Sequence, residues 1–208
     1  MHKVSIVGID NTGKTSIVKS LEDVDGIATI NVTTFQNNAS KIAGISGKLV
    51  NGLAQFGEQH DSKFLTGAAY FMHLFPYFFE QRAKKYSPLL VSDRDPIVDT
   101  LCYSDFYLPD GYSRIIRLPL QFLLEHSFDY PNSFIYLLAS PEVSASRYKE
   151  RNQLHETIKA LSRLRELFDG EMLRLEKNGI KIIRIDTDTK PLEEVANEVK
   201  FHLKNTTY

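Results

Sequence analysis

Three short runs hold the residues able to do chemistry. Gly8-Ile9-Asp10-Asn11-Thr12-Gly13-Lys14-Thr15 fits G-x-x-x-x-G-K-[ST] at every fixed position, with Ser16 following. This spacing is a phosphate-binding loop: backbone N–H groups of residues 8–16 turn inward at a polyphosphate, and the two glycines allow close approach. Lys14 supplies a point charge to the β- and γ-phosphates, and the Thr15 hydroxyl completes the shell of a Mg²⁺ ion. The second run is Asp93-Arg94, directly after the apolar stretch Pro88–Ser92. An acid there can join the Mg²⁺ shell and an arginine can clasp a phosphate with its fork of donors. A structural ion pair at a strand end is the plainer alternative. The third run, Arg147 to Arg151, places two arginines four apart on one helical face. Phosphoryl transfer needs cations around a charge-rich transition state, which a basic lid over residues 147–156 would supply; a solvated charged helix is the other reading. The expected ligands are therefore ATP and Mg²⁺, with Thr15 and Asp93 at the metal and Lys14, Asp93, Arg147 and Arg151 as catalytic candidates.

These residues need elements to hold them. Val4–Val7, Gly26–Thr33, Pro88–Ser92, Ser133–Ala139 and Ile180–Ile185 read as strands, each a nearly unbroken apolar or β-branched run. Helical spacing separates them: Ser16–Leu21, Lys41–Phe56, Asp61–Tyr86 with a break near Pro76, Pro96–Tyr107 and Ile115–Glu125. Pro109-Asp110-Gly111 reads as a turn, and Ser140-Pro141-Glu142 opens a helix with cap, proline and first-turn acid. A stripe at 154, 158, 161, 164, 168, 172 and 175 runs to a stop at Gly179, and Pro191–Lys204 closes the chain. Strands alternating with helices, apolar throughout, predict an α/β three-layer sandwich of the P-loop NTPase type: a five-stranded parallel sheet with helices on both faces. The expectation is a single kinase domain over residues 1–208.

Composition narrows the class. The chain has 208 residues, 42% hydrophobic and 25% charged, enough for a sizeable core, and its formal charge of −1 argues against nucleic acid or an anionic membrane as partner. A single cysteine, Cys102, suits a reducing compartment, and with the first strand pattern starting almost at the first residue the expectation is a cytoplasmic protein without a leader. The uncharged stretch Phe64–Phe79 is short for a membrane span and carries His73 and Pro76.

The phosphate loop with its acid at Asp10, then Val91-Ser92-Asp93-Arg94, then Arg147 and Arg151 ahead of a long helix, together resemble the thymidylate kinases over nearly the whole chain. The resemblance implies that Asp10 meets the acceptor's sugar 3′-hydroxyl, that Arg94 meets the acceptor phosphate, and that Asp93 lies by the Mg²⁺. It also implies a homodimer. Tyr70 or Phe71 would stack on the base, and His73 stands roughly where the family places an arginine for the thymine carbonyl. Phe35–Asn38 lacks the usual arginine after strand two, Asp95-Pro96 replaces an aromatic, and Tyr103-Ser104 replaces an aromatic-plus-amide pair.

Transfer of the γ-phosphoryl of ATP to dTMP or a related deoxynucleoside monophosphate is thus the leading expectation. A deoxynucleoside kinase is the alternative; it would need an acid soon after strand two to deprotonate a 5′-hydroxyl, and Thr34–Ser40 contains none. A nucleotide-binding relative that no longer transfers is the third reading.

Overall fold

In a computed structural model, placement is described for residues 2–31, 40–60, 62–84, 86–107, 110–150 and 157–205; the side chains of residues 58, 63, 70, 110–116 and 148–150 are left aside. Five strands, β1 (His2–Val7), β2 (Ile27–Ile30), β3 (Leu89–Ser92), β4 (Ser133–Leu138) and β5 (Lys181–Asp186), form one sheet in the order β2-β3-β1-β4-β5. All neighbours pair in parallel, with Val4 opposite both Val91 of β3 and Ser133 of β4. The order reverses at β1, so the crevice beyond its carboxyl end is the natural ligand position. The phosphate loop leaves β1 at that point.

Side-chain alternation sorts the core into two layers. Val4, Ile6, Leu89, Val91, Ile135, Leu137 and Ile185 face α1 (Lys14–Lys19) and α9 (Leu192–Lys204), which contribute Ile17, Val18, Val195, Val199 and Leu203, with Leu21 added from the turn after α1. Phe134 and Tyr136 face the other way, onto α5 (Pro96–Tyr107) and α8 (Ile158–Lys177), where Val98, Tyr103, Leu164, Phe168 and Met172 meet them. The result is the expected three-layer sandwich. Each strand has apolar residues on both faces because both faces are covered.

Five further helices complete the described set: α2 (Lys41–Gln59), α3 (Lys63–Met72), α4 (Leu74–Ala83), α6 (Asp110–Ser127) and α7 (Pro141–Glu150). The long helix expected from Asp61 to Tyr86 is two helices, and the break falls at His73 rather than at Pro76 itself. Pro76 has no N–H for the carbonyl of Met72, and its ring crowds that carbonyl, so α3 ends there and the proline sits in the first turn of α4. The turn expected at residues 109–111 is also corrected, since α6 already begins at Asp110 and carries Pro119 inside it. Leu154, the first position of the expected stripe, lies outside the described residues; α8 starts after Thr157, whose hydroxyl accepts from the Ala160 N–H at 3.1 Å. Lys41–Phe56 shows helical spacing at Ile42, Ile45, Leu49 and Leu53; on α2 the first three are exposed, at 56%, 66% and 71%, and Leu53 is half-buried, whereas Ala43 and Val50 turn inward. Spacing had identified a real apolar face, but it looks outward.

Candidate active site

The phosphate loop is built by strain that only its sequence tolerates. Gly8 has φ 145°, and a Cβ there would lie 2.5 Å from the carbonyl oxygen of Leu137 on the adjacent strand. Gly13, at φ 95°, turns the chain into α1. Asn11 takes the left-handed region at φ 58°, which asparagine adopts more readily than most residues. Inside the loop the buried Lys14 Nζ donates to the carbonyls of Gly8 and Ile9, both at 2.7 Å, and the Thr12 hydroxyl donates to Ile9 at 3.1 Å. Burial, together with the Arg94 charge, brings the Lys14 ammonium down to about 8. Lys14 is therefore a desolvated cation, and a desolvated cation answers strongly to a polyphosphate.

Strand β3 delivers the second cluster to the same crevice. Asp93 is fully buried, and the Thr15 hydroxyl donates to its Oδ2 at 3.0 Å. A hydroxyl and a carboxylate so placed suit Mg²⁺, a hard ion that takes few protein oxygens and completes its octahedron with phosphate and water. Among the described residues no group of three or more His, Cys, Asp or Glu side chains gathers that could hold a metal ion.

Arg94 spans two carboxylates. Its Nη2 donates to Asp10 Oδ1 at 3.1 Å and its Nη1 to Asp99 Oδ1 at 2.9 Å. Tyr103, fully buried on α5, joins from below: its hydroxyl donates to Asp10 Oδ1 at 2.8 Å, and the guanidinium lies 5.3 Å from its ring centroid. Burial alone would raise the Asp10 carboxyl, but Arg94, Lys14 and the Tyr103 hydroxyl outweigh it and hold Asp10 below the usual carboxylate range. Asp99 goes the other way, lifted by burial against the opposing pull of Arg94. Asp95 caps α5: its Oδ1 accepts the Ile97 and Val98 N–H groups, both at 3.0 Å, and Oδ2 accepts from the Ser5 hydroxyl at 3.2 Å. Burial pushes the Asp95 carboxyl up to about 7.

Helix α7 is tied to the back of the loop. The Ser144 hydroxyl donates to the Asp10 carbonyl at 2.7 Å; Arg147 donates through Nη1 to the Asn11 carbonyl at 3.1 Å and through Nη2 to the Thr187 carbonyl at 2.6 Å. Arg147 thus stands between the phosphate loop and the segment leaving β5. Arg151 and the remainder of the lid to residue 156 lie outside the described residues, as do Phe35–Asn38 after β2.

His73, at the break between α3 and α4, lines a cavity with Leu74, Tyr77, Arg94, Pro96 and Asp99, so it stands beside the Arg94 cluster. Its Nε2 pairs with Asn51 Oδ1 at 2.9 Å. Burial, reinforced by the Arg94 charge, keeps the ring neutral down to about pH 3. Phe71 is 45% exposed and does not line this cavity; the Tyr70 side chain is outside the described set. Lys14, Thr15, Asp10, Asp93, Arg94 and His73 therefore converge from the sequence candidates, with Arg147 at their edge. Asp99 and Ser144 joined them unforeseen, and Tyr103, noted in the sequence only as replacing part of an aromatic-plus-amide pair, bonds Asp10. Asp99 did leave a signal: an acid inside the otherwise apolar run Ile97–Cys102 has to be paired.

Comparison with known proteins follows from this arrangement. A search of the solved structures finds deoxyadenosine kinase from M. mycoides, determined with the products dCMP and a flexible dCDP bound, at a TM-score of 0.71 and 13% identity; the match covers 98% of this chain and 99% of that one. At that identity the likeness concerns the fold. No curated protein matches the chain significantly. The thymidylate kinase family profile matches residues 6–199. With a phosphate loop at the switch point of a parallel sheet and an arginine pinned against its acid, the chain belongs to the thymidylate kinase family.

Proposed function

We propose that the protein is a nucleoside monophosphate kinase that moves the γ-phosphoryl group of ATP to the phosphate of a deoxynucleoside monophosphate, the class to which dTMP belongs. The observation that supports this reading is the Arg94–Asp10 pair at 3.1 Å: the arginine proposed for the acceptor phosphate stands beside the acid of the phosphate loop. Transfer in line requires the two phosphates to meet there. An oxygen of the acceptor phosphate attacks the γ-phosphorus, the bond from that phosphorus to the β–γ bridging oxygen breaks, and ADP leaves with the bridging electrons. Lys14 would neutralise charge at the β- and γ-phosphates, Arg94 would hold the acceptor phosphate, and Asp10 would orient the sugar hydroxyl and Arg94 together. Arg147 and Arg151 would bring further positive charge when the lid segment closes. Mg²⁺, held through Thr15 and Asp93, would screen the β- and γ-phosphates from one another when bound.

A second copy of the chain fits the reading of a homodimer, supported by the outward apolar face of α2 at Ile42, Ile45 and Leu49. Among the described residues no helix is long and apolar enough to cross a membrane. The test of function is ADP formation with ATP and Mg²⁺, using monophosphates and nucleosides as competing acceptor classes. Turnover confined to monophosphates supports the proposal. Turnover confined to nucleosides contradicts it.

A further inference from the structure

One face of α7 grips the outside of the phosphate loop. Ser144 and Arg147 are three residues apart and so share a side of the helix. The hydroxyl of the fully buried Ser144 donates to the Asp10 carbonyl at 2.7 Å, and Arg147 Nη1 donates to the Asn11 carbonyl at 3.1 Å. The start of the helix is itself held in place. The Ser140 N–H donates to Asp188 Oδ1 at 2.7 Å, and the Ser140 carbonyl accepts from the Ser144 N–H at 2.9 Å. Among the described residues every peptide bond is trans, and across a trans peptide the carbonyl and the following N–H point in opposite directions. Holding the Asp10 and Asn11 carbonyls against α7 therefore turns the N–H groups of Asn11 and Thr12 away from the helix. Successive N–H groups turned to one side of a loop make a concavity for an anion. That orientation carries backbone strain. Asn11 sits at φ 58°, and swinging the Asp10–Asn11 peptide plane through half a turn would relax it to about −120°, in the broad β region. The same swing would aim a carbonyl, instead of an N–H, at the polyphosphate.

We propose, resting only on the phosphate-loop part of the reading above, that Ser144 is a positioning residue for the donor site. Its hydroxyl holds the Asp10–Asn11 peptide in the strained orientation that presents an N–H to the polyphosphate, and Arg147 does the same for the next peptide while keeping its charge beside the loop. Ser144 acts through the loop and not on the ligand. What it sets is the fraction of molecules whose loop is already arranged to bind, and apparent affinity falls in proportion to that fraction.

Ser144→Ala removes the donor and little volume. Titration calorimetry on the full chain should give this variant a Kd for ATP with Mg²⁺ about 3-fold or more above that of the wild type, and a similar factor for tripolyphosphate, which has neither base nor sugar. Adding Asn11→Gly, which takes positive φ without strain, should recover about 2-fold or more of that loss. Should the alanine variant fail to fold, Ser144→Cys fills the same space with a weak donor and should show the same loss on both ligands. A smaller change with tripolyphosphate overturns the proposal. So does a loss that Asn11→Gly leaves untouched, because a merely structural defect would not answer to the backbone preference at residue 11. Binding is read and not turnover, so protein that binds ATP yet transfers to no acceptor contradicts the kinase reading and leaves this test in force. Wild-type protein that binds neither ATP nor tripolyphosphate overturns both.

Discussion

Lys14, Arg94 and Asp95 show how far burial, rather than residue type, decides what a charged side chain does here. Lys14 is held by two carbonyls and stripped of water, so its charge is available to a polyphosphate at little reorganisation. Lys14→Ala should leave the fold intact and lower kcat by at least about 10²-fold, read as ADP released per enzyme; unchanged turnover would contradict the phosphate-loop assignment. Arg94→Lys keeps a charge but loses the fork that spans Asp10 and Asp99. It should raise the acceptor KM by about 10-fold or more while ATP binding, measured by titration calorimetry, stays within about 2-fold. Asp95 carries a pH signature. Its carboxyl, near 4 in the unfolded chain, is pushed up to about 7 in the fold, so between those values the folded state holds a proton that the unfolded state has released. Stability should therefore fall as pH rises from about 4 to about 7 and level off above, with a slope of at most about 1.4 kcal/mol per pH unit from this group. Asp95→Asn keeps a capping oxygen for α5 and removes the titration. Denaturant unfolding of both proteins across that window should show the wild type losing ground to the variant; a constant difference would mean that Asp95 is already ionised in the fold.

At the scale of elements, the site depends on how helices are fastened to one another. Arg117 of α6 pairs with Asp105 of α5 and, at 2.9 Å, with Glu171 of α8, whose side chain is fully buried; Arg174 reaches Glu171 at 2.7 Å and Glu125 at 3.2 Å. Glu171→Ala would leave two arginines facing a buried gap, and truncating one partner of a buried pair costs about 3–5 kcal/mol. A correspondingly lower unfolding midpoint is expected, and a loss under about 1 kcal/mol would place Glu171 among solvent-screened surface pairs. Gly57 governs a second contact: a Cβ there would lie 2.8 Å from the Thr66 backbone nitrogen, where α2 packs on α3. Apart from Glu171–Arg174, which are three residues apart on one helix, these fastenings were not legible in the sequence, because they join different elements with no local period to mark them. What was legible followed local rules. The helix Pro96–Tyr107 was read to the residue from a proline start and an apolar run, and Ser140-Pro141-Glu142 opened α7 as its capping chemistry requires. The break read near Pro76 falls at His73, three residues earlier, because a proline disrupts the carbonyl four residues before it.

For the whole molecule, the sheet order explains why so much of the site was readable. With β1 central and β3 beside it, the residues leaving those two strands must meet, so Asp10, Thr15, Asp93 and Arg94 could be named from two short motifs. Tyr103 and Ser144 reach the loop from helices packed on it, a relation that only the fold supplies. The apolar α2 face was visible as a stripe, but a stripe does not say whether it covers this chain's core or a second copy. Leu49→Asp should convert a dimer to a monomer in sedimentation at micromolar concentration, with the wild type sedimenting as a dimer; a monomeric wild type would contradict the proposed interface. The central claim is the transfer of a phosphoryl group to a phosphate acceptor, and its most direct test is a coupled ADP assay with ATP and Mg²⁺. The panel comprises the deoxynucleoside monophosphates, the matching nucleosides and a blank without acceptor. The expected result is ADP formed in equal amount to a nucleoside diphosphate product with at least one monophosphate, and near-blank rates with nucleosides. Turnover with nucleosides alone, or silence throughout in protein that binds ATP, would contradict it.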